Sequence, residues 1–216
     1  MQTITELAAH LLLAEQAFTP AVPGFVGVEL DLPGGAAGRR HLRHGFLAPR
    51  APGLVTVSGP PSPGLETSIA RMAEDLRAAG TAGAAGTVAA AGPAGGIRVA
   101  VEAGPAGGGP LGLARRWRLA HTLGPVLAAA FANSPGDGWR SRDKALYRDR
   151  PVLPTGADPR SAWADAVLDA PAGDARTFRE WARATARPSL ADLAAHAGAL
   201  RLPVTARGHL LLDVAD

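Results

Sequence analysis

The sequence of 216 residues predicts an α+β fold, a domain that combines several strands with several helices. Four runs alternate apolar and polar residues with the period of two that is typical of strands. Before, between and after these runs, apolar residues recur three and four positions apart, following residues that can cap a helix. This pattern indicates amphipathic helices. The length suits one domain, and we assign residues 1–216 to it.

The strand-like runs are residues 25–31, 54–57, 97–102 and 204–214. In the first run, Glu29 and Asp31 lie two positions apart and therefore share a face. In the third run, Arg98, Ala100 and Glu102 share a face that we expect to be exposed. Residues 36–45 form a polar stretch, rich in arginine and histidine, between the first two strands.

Each predicted helix has a visible start or stop. The starts are a capping box of Thr3 and Glu6 for a helix ending near Ala17, Ser62 with Pro63 for a helix ending at Gly80, a capping box of Thr177 and Glu180, and Ser189 ahead of Leu190. Residues 111–132 predict a largely buried helix, in which His121 fits a packed or capping histidine better than a ligand. Residues 80–96 carry no charge and predict a flexible linker.

Composition excludes several classes of function. The chain contains no cysteine, which excludes disulfides, thiolate nucleophiles and cysteine-bound metals. Its start does not fit a signal peptide and no apolar run could span a bilayer, so we expect a cytoplasmic protein without membrane contact. The basic residues are dispersed and lack interleaved aromatics, so we expect no nucleic-acid partner.

Several segments resemble, in the same order, the actinobacterial glutamate–cysteine ligases of the ergothioneine pathway. The segments are AFTPAVPGFVGVELDL, PGLVTVSGPPSPGL, RWRLAHTLGPVLAAAFANSP with GWRSRDKALY, and FREWARATARPSLADLAAHAGAL with RGHLLLD. The resemblance implies a reduced form of the fold shared by glutamine synthetase and these ligases, an antiparallel sheet with packed helices. It also implies a reaction in which ATP phosphorylates glutamate and the amine of cysteine displaces the phosphate, with ATP and Mg²⁺ as cofactors.

The resemblance assigns site residues but identifies no catalytic residue. It implies that Glu29 and Asp31 are remnant metal ligands. It places five further residues where the family binds substrate or phosphate: Trp139, Arg140, Arg142, Arg207 and His209.

The sequence departs from the family where carboxylates are needed. Thr56 stands where a ligand carboxylate is expected, and Leu211 and Asp213 replace an expected glutamate and arginine. The family's Val-Gln-Val-Asn-Leu-Asp strand carries Arg98 and Ala100 in place of its two amides. Magnesium requires several converging oxygen ligands, so these losses bear on the expected chemistry directly.

Two hypotheses follow. The chain is either an active minimal γ-glutamyl ligase acting on glutamate, cysteine and ATP, or a degenerate protein with weak or no ligase activity alone. In the second case it is a pseudoenzyme that serves as an accessory or ligand-binding subunit. Association into homo- or hetero-oligomers is open under both hypotheses. The loss of carboxylates favours the second.

Overall fold

The computed structural model describes residues 3–19, 24–34, 38–51, 54–79, 96–132, 158–172, 176–184, 187–200 and 202–215. The helices in these ranges are α1 (Glu6–Ala17), α2 (Leu65–Ala78), α3 (Leu113–Ala130), α4 (Pro159–Asp169), α5 (Phe178–Arg183) and α6 (Leu190–Ala199). The strands are β1 (Phe25–Pro33), β2 (Arg40–His41), β3 (Phe46–Ala51), β4 (Leu54–Ser58), β5 (Ser62–Pro63), β6 (Ile97–Val101), β7 (Pro171–Ala172), β8 (Arg176–Thr177), β9 (Val204–Ala206) and β10 (Leu210–Ala215). None of these helices combines the length and the apolar character that crossing a bilayer demands.

One antiparallel sheet holds the four predicted strand runs. Its order in the described part of the chain is β2-β3-β4-β1-β6-β10-β9, and β5 pairs with one end of β1. Helix α2 packs against β1, β4 and β5, as the sequence predicts for residues 62–79. The α+β class and the antiparallel sheet are therefore confirmed.

The two faces of the central strands differ in chemistry. On one face, β1 and β4 contribute Val28, Leu32, Val55 and Val57 to an apolar cluster with Met72 of α2. On the other face, cross-strand partners bring polar residues together, because side chains alternate along each strand. Glu29 pairs with Ser58 on β4 and with Arg98 on β6, and Asp31 pairs with Thr56 on β4. The same face carries a pair of small residues, Gly27 with Ala100.

The described part of the chain holds two more apolar clusters. Trp117 of α3, fully buried, packs with residues of β9, β10 and α4 in one of them. Phe178 of α5, also fully buried, joins α1, α4 and α6 in the other. The helices of the later half therefore pack on one another as well as on the sheet.

Four local predictions need correction. The first helix is capped by Thr5, whose side chain accepts a hydrogen bond from the backbone N–H of Ala8, and not by Thr3. Helix α2 is preceded by Gly64 at φ +82°, because the backbone of Ser62 pairs with β1 as part of β5. The run 204–214 forms two strands joined by a turn, and part of the polar stretch 36–45 forms β2.

Helix α3 is less buried than its composition predicts. Three of its large apolar residues, Leu119, Leu123 and Val126, are exposed, whereas Leu113 and Trp117 are buried. The capping box of Thr177 and Glu180 that begins α5 is confirmed, and so is the start of α6 at Ser189, where Asp192 completes a second capping box that was not predicted. The predicted linker 80–96 lies outside the described residues apart from Gly96, whose carbonyl accepts the N–H of Asp31.

Candidate functional site

A guanidinium lies between the two carboxylates that the sequence assigns to a metal. Arg98 Nε donates to Glu29 Oε2 at 2.9 Å, and Arg98 Nη1 donates to Asp31 Oδ2 at 2.5 Å. Its Nη2 donates to Asp31 Oδ1 at 2.8 Å, so the contact with Asp31 is bidentate. The hydroxyl of Thr56 donates to Asp31 Oδ1, and that of Ser58 donates to Glu29 Oε1 at 3.3 Å.

Burial makes this cluster electrostatically strong. The side chains of Arg98 and Asp31 are 2% and 6% exposed, whereas that of Glu29 is 27% exposed. Burial alone lowers the pKa of Arg98, but hydrogen bonds and charge from Asp31 and then Glu29 outweigh it, and the net shift of its pKa is upward. Arg98 is therefore a fixed cation, and the prediction that strand β6 exposes it is wrong, because its partners allow it to be buried.

These residues do not fit a magnesium ion. Magnesium needs near-octahedral oxygen ligands at about 2.1 Å, and here a positive guanidinium already contacts both candidate carboxylates. Within the described ranges, no group of three or more histidine, aspartate or glutamate side chains is placed to hold a metal. A metal at Glu29 and Asp31 would first have to displace Arg98.

A cavity of about 580 Å³ lies beside this cluster, within the usual size range of small-molecule sites. It is lined by Glu29 and its neighbours on the sheet and by the turns around them. The described lining residues are Phe25, Gly27, Val28, Glu29, His41, His44, Gly45, Phe46, Ser58, Gly59, Pro60, Pro61, Ala100, Val101, Glu102 and His209.

The turn between β2 and β3 forms part of the wall and is held by helix α2. The carboxylate of Asp75, fully buried, accepts the backbone N–H groups of His44 and Gly45, both at 2.8 Å. Residue 45 must be glycine, because a Cβ there would lie 2.0 Å from the carbonyl oxygen of Ser58. The ring of His44 adds a contact of 2.8 Å to Glu74 Oε2.

The structure brings His209 to the cavity together with Glu29. Burial lowers the pKa of His209, Arg207 acts in the same direction, and Glu29 opposes both. Arg207 itself lines a neighbouring cavity with Trp163 and Gly208. The two residues predicted together on the last strand therefore serve different surfaces.

The remaining positions singled out in the sequence are three predicted binding residues and two places where the family's residues are replaced. Trp139, Arg140 and Arg142 lie outside the described residues, so their assignment stays a prediction. Leu211 is buried opposite Ala100 on β6, and it leaves no carboxylate at this position of the sheet. The backbone N–H of Asp213 donates to the carbonyl of Pro203.

Sequence reasoning missed part of the cavity lining. His41, His44 and Phe46 belong to the β2–β3 hairpin, which was expected to be a polar connection. The signal that could have found them is the pair of histidines just before Gly45, a glycine that marks a tight turn. Glu102 was noted as an exposed strand residue but not as part of a site.

The comparison with known proteins finds a ligase relative for part of the chain. Over 133 aligned residues the chain is 37% identical to the glutamate–cysteine ligase EgtA of Mycolicibacterium smegmatis, covering 49% of this chain and 31% of the ligase. The chain thus spans about a third of the length of the curated relative it matches. No profile of a known protein family matches. Over this shared stretch, which covers about half of the chain, the sequence is similar to that of this glutamate–cysteine ligase.

Proposed function

We propose that this chain is a glutamate–cysteine ligase-like protein of the ergothioneine branch that has weak or no ligase activity by itself. The observation that carries the proposal is the position of Arg98, which holds Glu29 and Asp31 in one ion-paired cluster. The relationship to EgtA supplies the reaction class, and the cluster supplies the reason to expect little turnover.

Phosphoryl transfer depends on positioned cations that offset charge on the transferring group. In the family this chain resembles, carboxylates hold magnesium for that purpose. Here Arg98 satisfies the two that remain, and Thr56 and Leu211 bring a hydroxyl and an isobutyl group where carboxylates are expected. Loss of a single preorganised charge-stabilising group can reduce a rate by ~10²-fold or more, so several losses leave little activity.

An ADP-release assay with magnesium, ATP, glutamate and cysteine tests this proposal, with γ-glutamylcysteine detected by mass. EgtA from Mycolicibacterium smegmatis in the same buffer shows that the assay works. We expect ADP release no faster than in a control without protein. Cysteine-dependent turnover that disappears in Glu29→Ala would overturn the proposal and restore an active minimal ligase.

A further inference from the structure

We propose that the cavity beside Arg98 binds a small organic cation, a protonated amine carried on an apolar or aromatic body. The inference deepens the proposed function, since it names the ligand class for a site that we argue holds no magnesium nucleotide. It rests on the charge, shape and lining of the cavity.

The fixed charges that line the cavity favour a cation. Both described lining residues with a fixed charge are acidic, Glu29 and Glu102, and no arginine or lysine is among the described lining residues. Glu29 shares Arg98 with Asp31, and Arg116 donates to the backbone carbonyl of Glu102 and not to its carboxylate, so among the described residues neither lining carboxylate has a guanidinium to itself. Phosphate groups are bound by arginine, lysine, metal ions or helix N-termini, and the described lining offers none of these side chains.

The lining also provides room and apolar walls. Gly27 and Ala100 lie opposite each other on β1 and β6, and a Cβ on Gly27 would approach Ala100 Cβ to 3.3 Å. These two small residues leave space next to the carboxylates. Phe25 and Phe46 add aromatic surface, and aromatic rings attract ammonium groups through their faces.

The two phenylalanines differ in availability. Arg39, which is not among the described lining residues, already lies over the Phe46 ring, with Cζ 4.0 Å from the ring centre. Phe25 is 47% exposed, and its backbone N–H donates to Glu102 Oε2 at 3.1 Å. Phe25 and the Glu102 carboxylate are therefore neighbours in the cavity wall, a combination of apolar and acidic groups that suits an amine on an apolar body.

Three probes with one skeleton test the inference: 2-phenylethylammonium, neutral 2-phenylethanol and anionic phenylacetate. They are titrated into the full chain by calorimetry at pH 8, above the ordinary pKa of histidine, without magnesium or ATP. We expect the ammonium probe to bind at least about tenfold more tightly than the alcohol, and phenylacetate not to bind. Equal affinity for the alcohol, tighter binding of phenylacetate, or no binding of any probe would overturn the inference.

Variants locate the binding. Glu102→Gln keeps an acceptor for the Phe25 N–H but removes the charge, so the preference for ammonium over alcohol should fall to about threefold or less. Ala100→Met fills the space between the carboxylates and should abolish binding of the ammonium probe. Glu15→Gln, an exposed acidic residue on α1 outside the cavity lining, is the matched control and should bind like wild type.

Circular dichroism melting confirms that each variant is folded. If Ala100→Met does not fold, the preference for the ammonium probe over the alcohol is compared between Glu102→Gln and Glu15→Gln, and that comparison decides where the probe binds. An unchanged preference in Glu102→Gln would contradict the assignment. Because the titration contains no nucleotide, ligase turnover in the ADP-release assay would overturn the proposed function without altering this result.

Discussion

Two arginines of this chain are each surrounded by carboxylates, and their settings differ. Arg98 pairs with Glu29 and Asp31 on one face of the sheet, with its side chain 2% exposed. Arg179 contacts Glu6, Asp165 and Asp169 between helices α1, α4 and α5, with its side chain 21% exposed. The same residue types therefore make a buried charge cluster in one place and a partly solvated link between helices in the other.

The two clusters differ in how their carboxylates are solvated. Hydrogen bonds from Arg179 to Asp169, Glu6 and Asp165 raise the pKa of Arg179 against the opposing effect of burial, and water shares the task of solvating those carboxylates. Arg98 and Asp31 are almost completely buried, so little water reaches the contact between them, whereas Glu29 is 27% exposed. The Arg179 cluster joins three helices, whereas the Arg98 cluster lies on the sheet face where the family resemblance implies remnant metal ligands.

The largest expected effect comes from removing the buried guanidinium. Arg98→Gln introduces the glutamine that the resembling ligases carry at this position of the strand. It takes the guanidinium away from Glu29 and Asp31. We expect a loss of about 3–5 kcal/mol in the free energy of unfolding, because breaking a buried ion pair leaves an uncompensated charge. Urea unfolding at pH 7 measures it. A loss below that of the Arg179 variant described next would contradict the contrast between the two clusters.

Arg179→Gln should cost less, about 1 kcal/mol, because its carboxylates are partly solvated and Glu6 keeps a contact with Arg183 at 2.7 Å. The loss should shrink in high salt, since exposed charges are screened more than buried ones. Urea unfolding at low and high sodium chloride tests both variants. Equal salt sensitivity of Arg98→Gln and Arg179→Gln would show that the two environments are alike.

His121 is a half-buried side chain whose Nε2 atom is buried and has no hydrogen-bond partner among the described residues. Burial lowers its pKa to about 4. The folded state then keeps His121 neutral, whereas the unfolded chain takes up a proton below about pH 6.5. The contribution of neutral His121 to the free energy of unfolding is therefore fully present above pH 6.5, and it is lost as the pH decreases toward 4.

Because of His121, we expect the free energy of unfolding of wild type to fall by on the order of 1–2 kcal/mol between pH 7 and pH 4.5. This figure allows for the partial exposure of the side chain. His121→Leu should lose that part of the pH dependence and keep its stability at pH 7. Chemical unfolding of both proteins at the two pH values measures it. Parallel pH profiles would show that His121 is solvated in the folded protein.

Patterns local in sequence predicted much of the fold. Alternation located β1, β4 and β6, and the Thr177 capping box was found because the cap and its partner Glu180 lie three residues apart. Ser189 was found as a helix start, but its capping-box partner Asp192 was not. Helix α4 was missed, although Asp158 caps it and Pro159 occupies its first turn. Its apolar residues include many alanines, which give a weak periodic signal.

The site was only partly predictable, because its contacts are distant in sequence. Alternation placed Glu29 and Asp31 on one face, but Arg98 lies 69 and 67 residues away from them. An alternating pattern shows which face of the strand a residue lies on, but not whether that face is buried. The burial of Arg98 depends on the pairing of β1 with β6, which the sequence pattern does not reveal. The hold of Asp75 on the β2–β3 turn is equally distant in sequence.

Arg98 occupies the place of a cation between Glu29 and Asp31. Calorimetric titration of Mg²⁺ into wild type, Arg98→Gln and the double variant Glu29→Gln with Arg98→Gln tests this assignment. We expect no saturable binding by wild type, binding of one ion by Arg98→Gln, and loss of that binding in the double variant. Saturable binding of Mg²⁺ by wild type that disappears in Glu29→Gln would contradict the claim.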